Sequence, residues 1–164
     1  MKRIEFTKSR PDLNVKKNEQ IGLEWGTPMT DNLGFVSVEN NEMKIAGKSY
    51  QYWANQFGLP LHIIYTPILI ENIRAFKEVF KKHYPKGSIR FAGKVNPHPS
   101  VFKLVSNENV GADVVSVNTM NAALAGGIDP KNIDVNGNAK SNELIEKALE
   151  LDMFLIADSF EELK

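Results

Sequence analysis

Arg90-Phe-Ala-Gly-Lys-Val-Asn-Pro-His-Pro-Ser100 is a short apolar run that ends in a lysine and then in two prolines. Ile89, Phe91 and Ala92 read as a buried strand, and Lys94 stands where that strand gives out. Pro97 and Pro99 then open a helix, because proline suits the first helical turn. An amine at the end of a buried strand is expected to be poorly hydrated, which lowers its pKa and makes it a better nucleophile. A Schiff-base lysine needs such surroundings. The same residues also suit a lysine that merely snorkels from a strand end.

The chain beyond Lys94 settles into a rhythm. Residues 99–105 read as a helix, Gly111 to Ser116 as a strand and Thr119 to Ala125 as a helix closed by Gly126-Gly127. Ile133 to Asn136 is the next strand, Ser141 caps a helix carrying Leu144, Ile145, Ala148 and Leu149, and Met153 to Ala157 is a strand again. Strand followed by helix, recurring roughly every 20–25 residues, means a parallel sheet with helices outside it. An open doubly wound sheet and a β/α barrel both satisfy that pattern. Each strand ends in a polar residue: Lys94, Ser116, Asn136 or Asn138, and Asp158. Ligands of β/α folds bind at the carboxyl ends of the strands, so these residues would face one rim, although Ser, Asn and Asp also cap helices. No glycine-rich nucleotide-binding fingerprint is present.

Upstream, Phe35 to Val38 alternates as a strand, Asn40-Asn41 turns, and Met43-Lys-Ile45 begins a partner strand. Ser49 caps a short helix with Tyr52, Trp53 and Phe57, which Gly58 ends; Trp53 reads as core. Leu61 to Tyr65 is the next expected strand, and Thr66-Pro67 starts a helix whose apolar face is Leu69, Ile73, Phe76 and Phe80. Residues 1–42 form an N-terminal extension, a candidate contributor to a β-domain.

Composition narrows the function classes. The 164 residues hold 42% hydrophobic and 24% charged residues, with twenty basic side chains against twenty acidic ones. No charge imbalance points to nucleic acid or a membrane surface. There is no cysteine, which excludes disulfides and thiolate chemistry, and His62, His83 and His98 are too scattered for a metal site. No apolar run reaches the ~20 residues of a membrane span, and no signal-peptide pattern is seen, so a cytoplasmic location is expected. Near the end, Ser159-Phe-Glu-Glu162 is a capping box, and the sequence stops two residues later. Residues 89–164 therefore read as an α/β domain cut partway through, a fragment.

Five stretches, in this order, carry a resemblance: Gly58-Leu-Pro-Leu-His-Ile-Ile-Tyr65, Phe91-Ala-Gly-Lys-Val-Asn-Pro97, Gly111-Ala-Asp-Val-Val-Ser116, Val135-Asn-Gly-Asn-Ala-Lys-Ser141 and Ile156-Ala-Asp-Ser-Phe-Glu-Glu-Leu163. From about Met43 to Lys164 the chain resembles the first half of the pyridoxal phosphate (PLP)-dependent amino-acid decarboxylases, most of all the diaminopimelate decarboxylases. These share a barrel with the ornithine and arginine decarboxylases and with alanine racemase. The resemblance implies a partial (β/α)8 TIM barrel of the alanine-racemase-like type over residues 43–164, preceded by the extension at 1–42. It implies pyridoxal 5′-phosphate held by Lys94 as a Schiff base, with Asp113, Asn138 and Ser141 as further cofactor-binding residues. It also implies a small-molecule amino-acid substrate, a homodimer in the full-length protein, and neither nucleic acid nor membrane as partner.

The family's usual Ala-Val-Lys-Ala tetrad reads Ala92-Gly-Lys-Val95 here, and Gly93 is expected to loosen the packing before the lysine. The family draws its ring-stacking histidine, phosphate loop, ring-nitrogen glutamate, Cys-Glu-Ser-type segment and tyrosine from its second half, none of which is found in this sequence. Weak cofactor binding and little catalysis by the chain alone are therefore expected. A non-catalytic half-barrel module, and a racemase or PLP carrier on the same barrel, are the alternatives.

Overall fold

The structure is a computed structural model and describes residues 35–163. The described residues part into two compact units on either side of Leu69, residues 35–69 and 70–163.

In the first unit β1 (Val36–Glu39), β2 (Glu42–Ile45) and β3 (Lys48–Ser49) form an antiparallel sheet in that order. Asn40 and Asn41 both take positive φ, 52° and 61°, and close the two-residue hairpin that pairs Glu39 with Glu42. The Lys44 ammonium pairs with Glu39 across the ladder. Ser49 caps α1 (Tyr50–Phe57), its Oγ accepting from Tyr52 N at 3.1 Å. Trp53 is buried, and its indole N–H donates to the Ile45 carbonyl at 2.8 Å. Leu61 to Tyr65 is not a strand: it is irregular and joins no ladder among the described residues. Tyr65 instead stacks on Phe35, centroids 4.9 Å apart.

α2 (Thr66–His83) starts at the expected Thr66-Pro67, and most of it belongs to the second unit. The face expected to be core is only partly covered, since Phe76 is exposed and Ile73 and Phe80 are half-buried. What ties the helix down is polar. Arg74 makes a two-pronged pair with Glu108, at 2.9 and 2.6 Å, and the Lys77 ammonium donates to the Glu108 carbonyl.

The rest of the second unit is β4 (Arg90–Ala92), α3 (Pro99–Asn107), β5 (Gly111–Val114), α4 (Val117–Ala125), β6 (Ile133–Val135), α5 (Asn142–Glu150) and β7 (Phe154–Leu155). The four strands are parallel and lie in chain order, β4-β5-β6-β7. Each helix thus connects neighbouring strands in the same direction, and right-handed crossovers then put all three on one face. A doubly wound sheet would reverse its order and carry helices on both. The arrangement is part of a β/α barrel.

Alternation along the strands separates two faces. Ala112, Val114, Ile133 and Val135 are fully buried, as are Phe102, Val105, Met120, Ala123, Leu144 and Ala148 from the helices. This is the core, and Phe91 closes it edge-on against Phe102 at 6.0 Å. The opposite face carries Arg90, Ala92, Gly111, Asp113, Asp134 and Phe154, in which Ala92, Asp113, Asp134 and Phe154 are successive register partners. Among the described residues no helix is long and apolar enough to cross a membrane.

Candidate active site at the carboxyl ends of the strands

Lys94 sits in a single 3-10 turn, Gly93–Val95, directly after β4. The position is the expected one, but the surroundings are not: the lysine is exposed rather than desolvated at a buried strand end. The turn lifts it clear of the sheet. Gly93 is buried, and a Cβ there would meet Thr119 Cγ2 at 2.6 Å and Phe102 Cζ at 2.9 Å. The expected loosening at Gly93 is thus corrected, because α3 and α4 fill the space that a side chain would occupy. Behind the turn, Asn96 Oδ1 accepts from His98 N at 3.2 Å, and His98 Nδ1 caps α3 by accepting from Ser100 N at 3.2 Å.

Asp113 lies on β5, opposite Ala92 of β4 and Asp134 of β6. Its Oδ1 is buried and accepts no hydrogen bond among the described residues. Burial pushes the carboxyl above the usual aspartate range, and the Asp134 carboxylate adds to that. The Asn136 side chain, by hydrogen bonding, and the Lys94 ammonium, by its charge, oppose it. Asp134 is answered by Arg90 Nε at 2.9 Å. The arginine reaches it by crossing β5 at Gly111, where a Cβ would lie 2.6 Å from Arg90 Cδ and 2.2 Å from the Asn132 carbonyl oxygen. Two aspartates face each other on neighbouring strands, a repulsive placement. The guanidinium pairs only with Asp134, so Asp113 remains the carboxylate with unmet capacity.

Asn136 extends the ladder past β6 by donating its N–H to the Val114 carbonyl at 2.9 Å. Its side-chain Oδ1 accepts from Gly137 N at 2.7 Å, which leaves the amide end for Asp113. Asn138 is exposed in the loop that follows. The Ser141 hydroxyl caps α5, accepting from Leu144 N at 3.2 Å. Ser116 caps α4 in the same way through Thr119 N at 3.2 Å. Lys94, in the turn after β4, thus bears on Asp113 of β5 by its charge, and Asn138 and Ser141 make no hydrogen bond to either among the described residues.

Sequence reasoning passed over Asp134 as a site residue and left Asn136 undecided against Asn138. A signal was there: in Ile133-Asp-Val-Asn136 the polar residues alternate with the buried ones, which puts both on the open face. The expected capping box at Ser159 also closes differently. Residues Phe160–Leu163 form a 3-10 turn, and Glu162 Oε2 accepts from Asp158 N at 2.9 Å, one residue earlier than Ser159.

Comparison with known proteins gives this geometry a family. Residues 70–164 match the pyridoxal-dependent decarboxylases, in their pyridoxal binding domain. The diaminopimelate decarboxylase of Staphylococcus aureus (strain COL) is 34% identical over 128 residues, which cover 77% of this chain and 30% of that protein. That of Helicobacter pylori (strain J99) is 42% identical over 90 residues, 54% of this chain and 22% of that one. The crystal structure of diaminopimelate decarboxylase from M. jannaschii in co-complex with L-lysine aligns with a TM-score of 0.67 at 27% identity, over 78% of this chain and 31% of that one. The chain spans 30% or less of the length of these curated relatives. A parallel β/α sheet with a lysine in the turn after its first strand, matched over residues 70–164 to the pyridoxal binding domain, places the chain in the pyridoxal-dependent decarboxylase family, whose barrel is of the alanine-racemase-like type.

Proposed function

We propose that this chain is the cofactor-holding part of an amino-acid decarboxylase that converts diaminopimelate to L-lysine and carbon dioxide. The observation that carries the reading is the pair at the carboxyl ends of β4 and β5. An exposed amine, Lys94, stands within electrostatic reach of a carboxylate whose buried Oδ1 has no partner among the described residues. This end of a β/α sheet is where ligands bind. The substrate follows from the names of the relatives in S. aureus and Bacillus subtilis, both diaminopimelate decarboxylases, and from the L-lysine held by the M. jannaschii protein. A homodimer of the full-length protein belongs to the same reading.

Pyridoxal 5′-phosphate fits the residues present at its aldehyde end. An accessible primary amine is the group such an aldehyde condenses with, and Asp113 Oδ1 is a buried acceptor awaiting a donor. When bound, the cofactor supplies an electron sink for the pair left on the substrate's α-carbon as its carboxylate departs as carbon dioxide. Lys94 Nζ would hold it, and would take up or give a proton when the substrate amine replaces the lysine. Asp113, inclined by burial to keep a proton, can exchange one with that nitrogen. Asn136 would hold the carboxylate in place by its hydrogen bond, and Asn138 and Ser141 would belong to the rim around the cofactor.

A borohydride trap tests this. The chain is incubated with pyridoxal phosphate, reduced, digested, and the modified lysines are mapped. Selective labelling of Lys94, lost in Lys94→Ala and weakened in Asp113→Asn, is expected. Labelling spread evenly over the surface lysines, with Lys94 no better than the rest, would sink the proposal.

A further inference from the structure

Lys140 belongs to no part of the site described above, yet its side chain is 1% exposed. A buried ammonium is costly unless it is fully partnered. This one is held by three oxygens: it donates to the Gly137 carbonyl, pairs with Glu162 Oε2 at 2.8 Å, and lies 3.9 Å from Asp158 Oδ2. Glu162 is itself fixed, since the same oxygen accepts from Asp158 N. The Lys140 hydrogen bond, with that backbone bond behind it, holds the Glu162 carboxyl below the usual range. The contact joins the loop after β6 to the turn after β7.

The other side of the clamped peptide leads to the site. Gly137 has φ 117°, a backbone state that needs holding. Its carbonyl goes to Lys140 and its N–H to Asn136 Oδ1 at 2.7 Å. That second bond turns the Asn136 amide toward Asp113.

We propose that Lys140, locked by Glu162, is a positioning residue that sets the Gly137 peptide and through it the Asn136 amide against Asp113. The turn after β7 is thereby coupled to the carboxylate beside Lys94. The inference deepens the proposed function and relies on it only for its importance to the cofactor, since the chain of contacts exists without one. The groups facing Asp113 are Lys94 from the turn after β4, Asp134 from β6 with Arg90 of β4 paired to it, and Asn136.

The test is the titration of the Asp113 carboxyl, followed by carboxyl-carbon NMR on the full 164-residue chain without cofactor. Asn136→Ala gives the ceiling, an upward shift of about half a pH unit or more. Lys140→Met is expected to shift Asp113 the same way, to add nothing on top of Asn136→Ala, and to be rescued by Lys140→Arg. Glu162→Leu separates positioning from a bare charge effect, and keeps the test alive if Lys140→Met does not fold. Removing a negative charge would by itself lower the Asp113 pKa, whereas releasing the clamp raises it. An unchanged or downward titration in folded Glu162→Leu, or a Lys140→Met shift that adds to that of Asn136→Ala, overturns the inference. Borohydride labelling of the wild-type chain is read separately: its failure at Lys94 removes the functional proposal and leaves the titration result standing.

Discussion

Asp113 is where stability and function pull apart. Its folded-state pKa is raised by burial, so the folded chain holds a proton that the unfolded chain has already released. Below the ordinary aspartate pKa both states are protonated and the residue is neutral to stability. As pH climbs toward the raised value the unfolded state ionises first, stability falls, and the loss persists at higher pH. Asp113→Asn removes that penalty while keeping the shape. It should stabilise the chain at neutral pH and leave its stability unchanged at about pH 3. Urea midpoints of variant and wild type at the two pH values measure this, and an equal gain at both would refute it. Residues of this site differ in how far sequence exposes them. The place of Lys94 just after a strand was legible from the apolar run that precedes it, whereas Asp113 was singled out only by the resemblance. Lys140 was not, because a loop lysine reads as solvated, and the carboxylate that buries it lies twenty-two residues further on.

Among the elements, the strand–helix rhythm from β4 to β7 was readable because every helix has its own local start. Ser116 and Ser141 cap α4 and α5, and Pro99 opens α3. Leu61 to Tyr65 misled because an apolar alternating run does not by itself make a strand. Ladder membership depends on a neighbour that local sequence does not contain. Gly93 misled for a similar reason: its lost side chain is replaced by Thr119 and Phe102, from elements further along the chain. Gly111 shows the same dependence more sharply. It is the first residue of β5, and a methyl there would sit 2.2 Å from the Asn132 carbonyl, a backbone atom that no rotamer change can move. Gly111→Ala should therefore cost about 3 kcal/mol, prying β5 from β6 and displacing Arg90 from Asp134. Hydrogen exchange at Ala112 and Val114 together with the denaturation midpoint checks this. An unchanged midpoint with intact protection would show that the strands can part cheaply.

At the scale of the second unit, helices cover the sheet on one face only among the described residues of that unit. Parallel sheets are ordinarily buried on both faces, and their edges are paired or covered. Here β4 and β7 end the sheet among the described residues, and the open face carries charge at Arg90, Asp113 and Asp134 but an apolar ring at Phe154, which is 64% exposed. Phe160, at 85%, and Val95, at 74%, add apolar surface on the segments that follow β7 and β4. Covering a phenylalanine is worth about 2 kcal/mol, and each 1.4 kcal/mol is tenfold in affinity. Two such side chains are enough to bring separate chains together. The chain should accordingly self-associate in a concentration-dependent way at about 1 mM, the constant that about 4 kcal/mol gives. Phe154→Lys with Phe160→Lys should weaken that association by at least tenfold while leaving the helix-covered core, and so the circular dichroism, unchanged. Sedimentation velocity across a dilution series decides it. A wild-type chain that stays monomeric throughout would mean that the charges on the open face already keep copies apart, so that the Arg90–Asp134 pair and Asp113 act against misassembly as well as shaping the site.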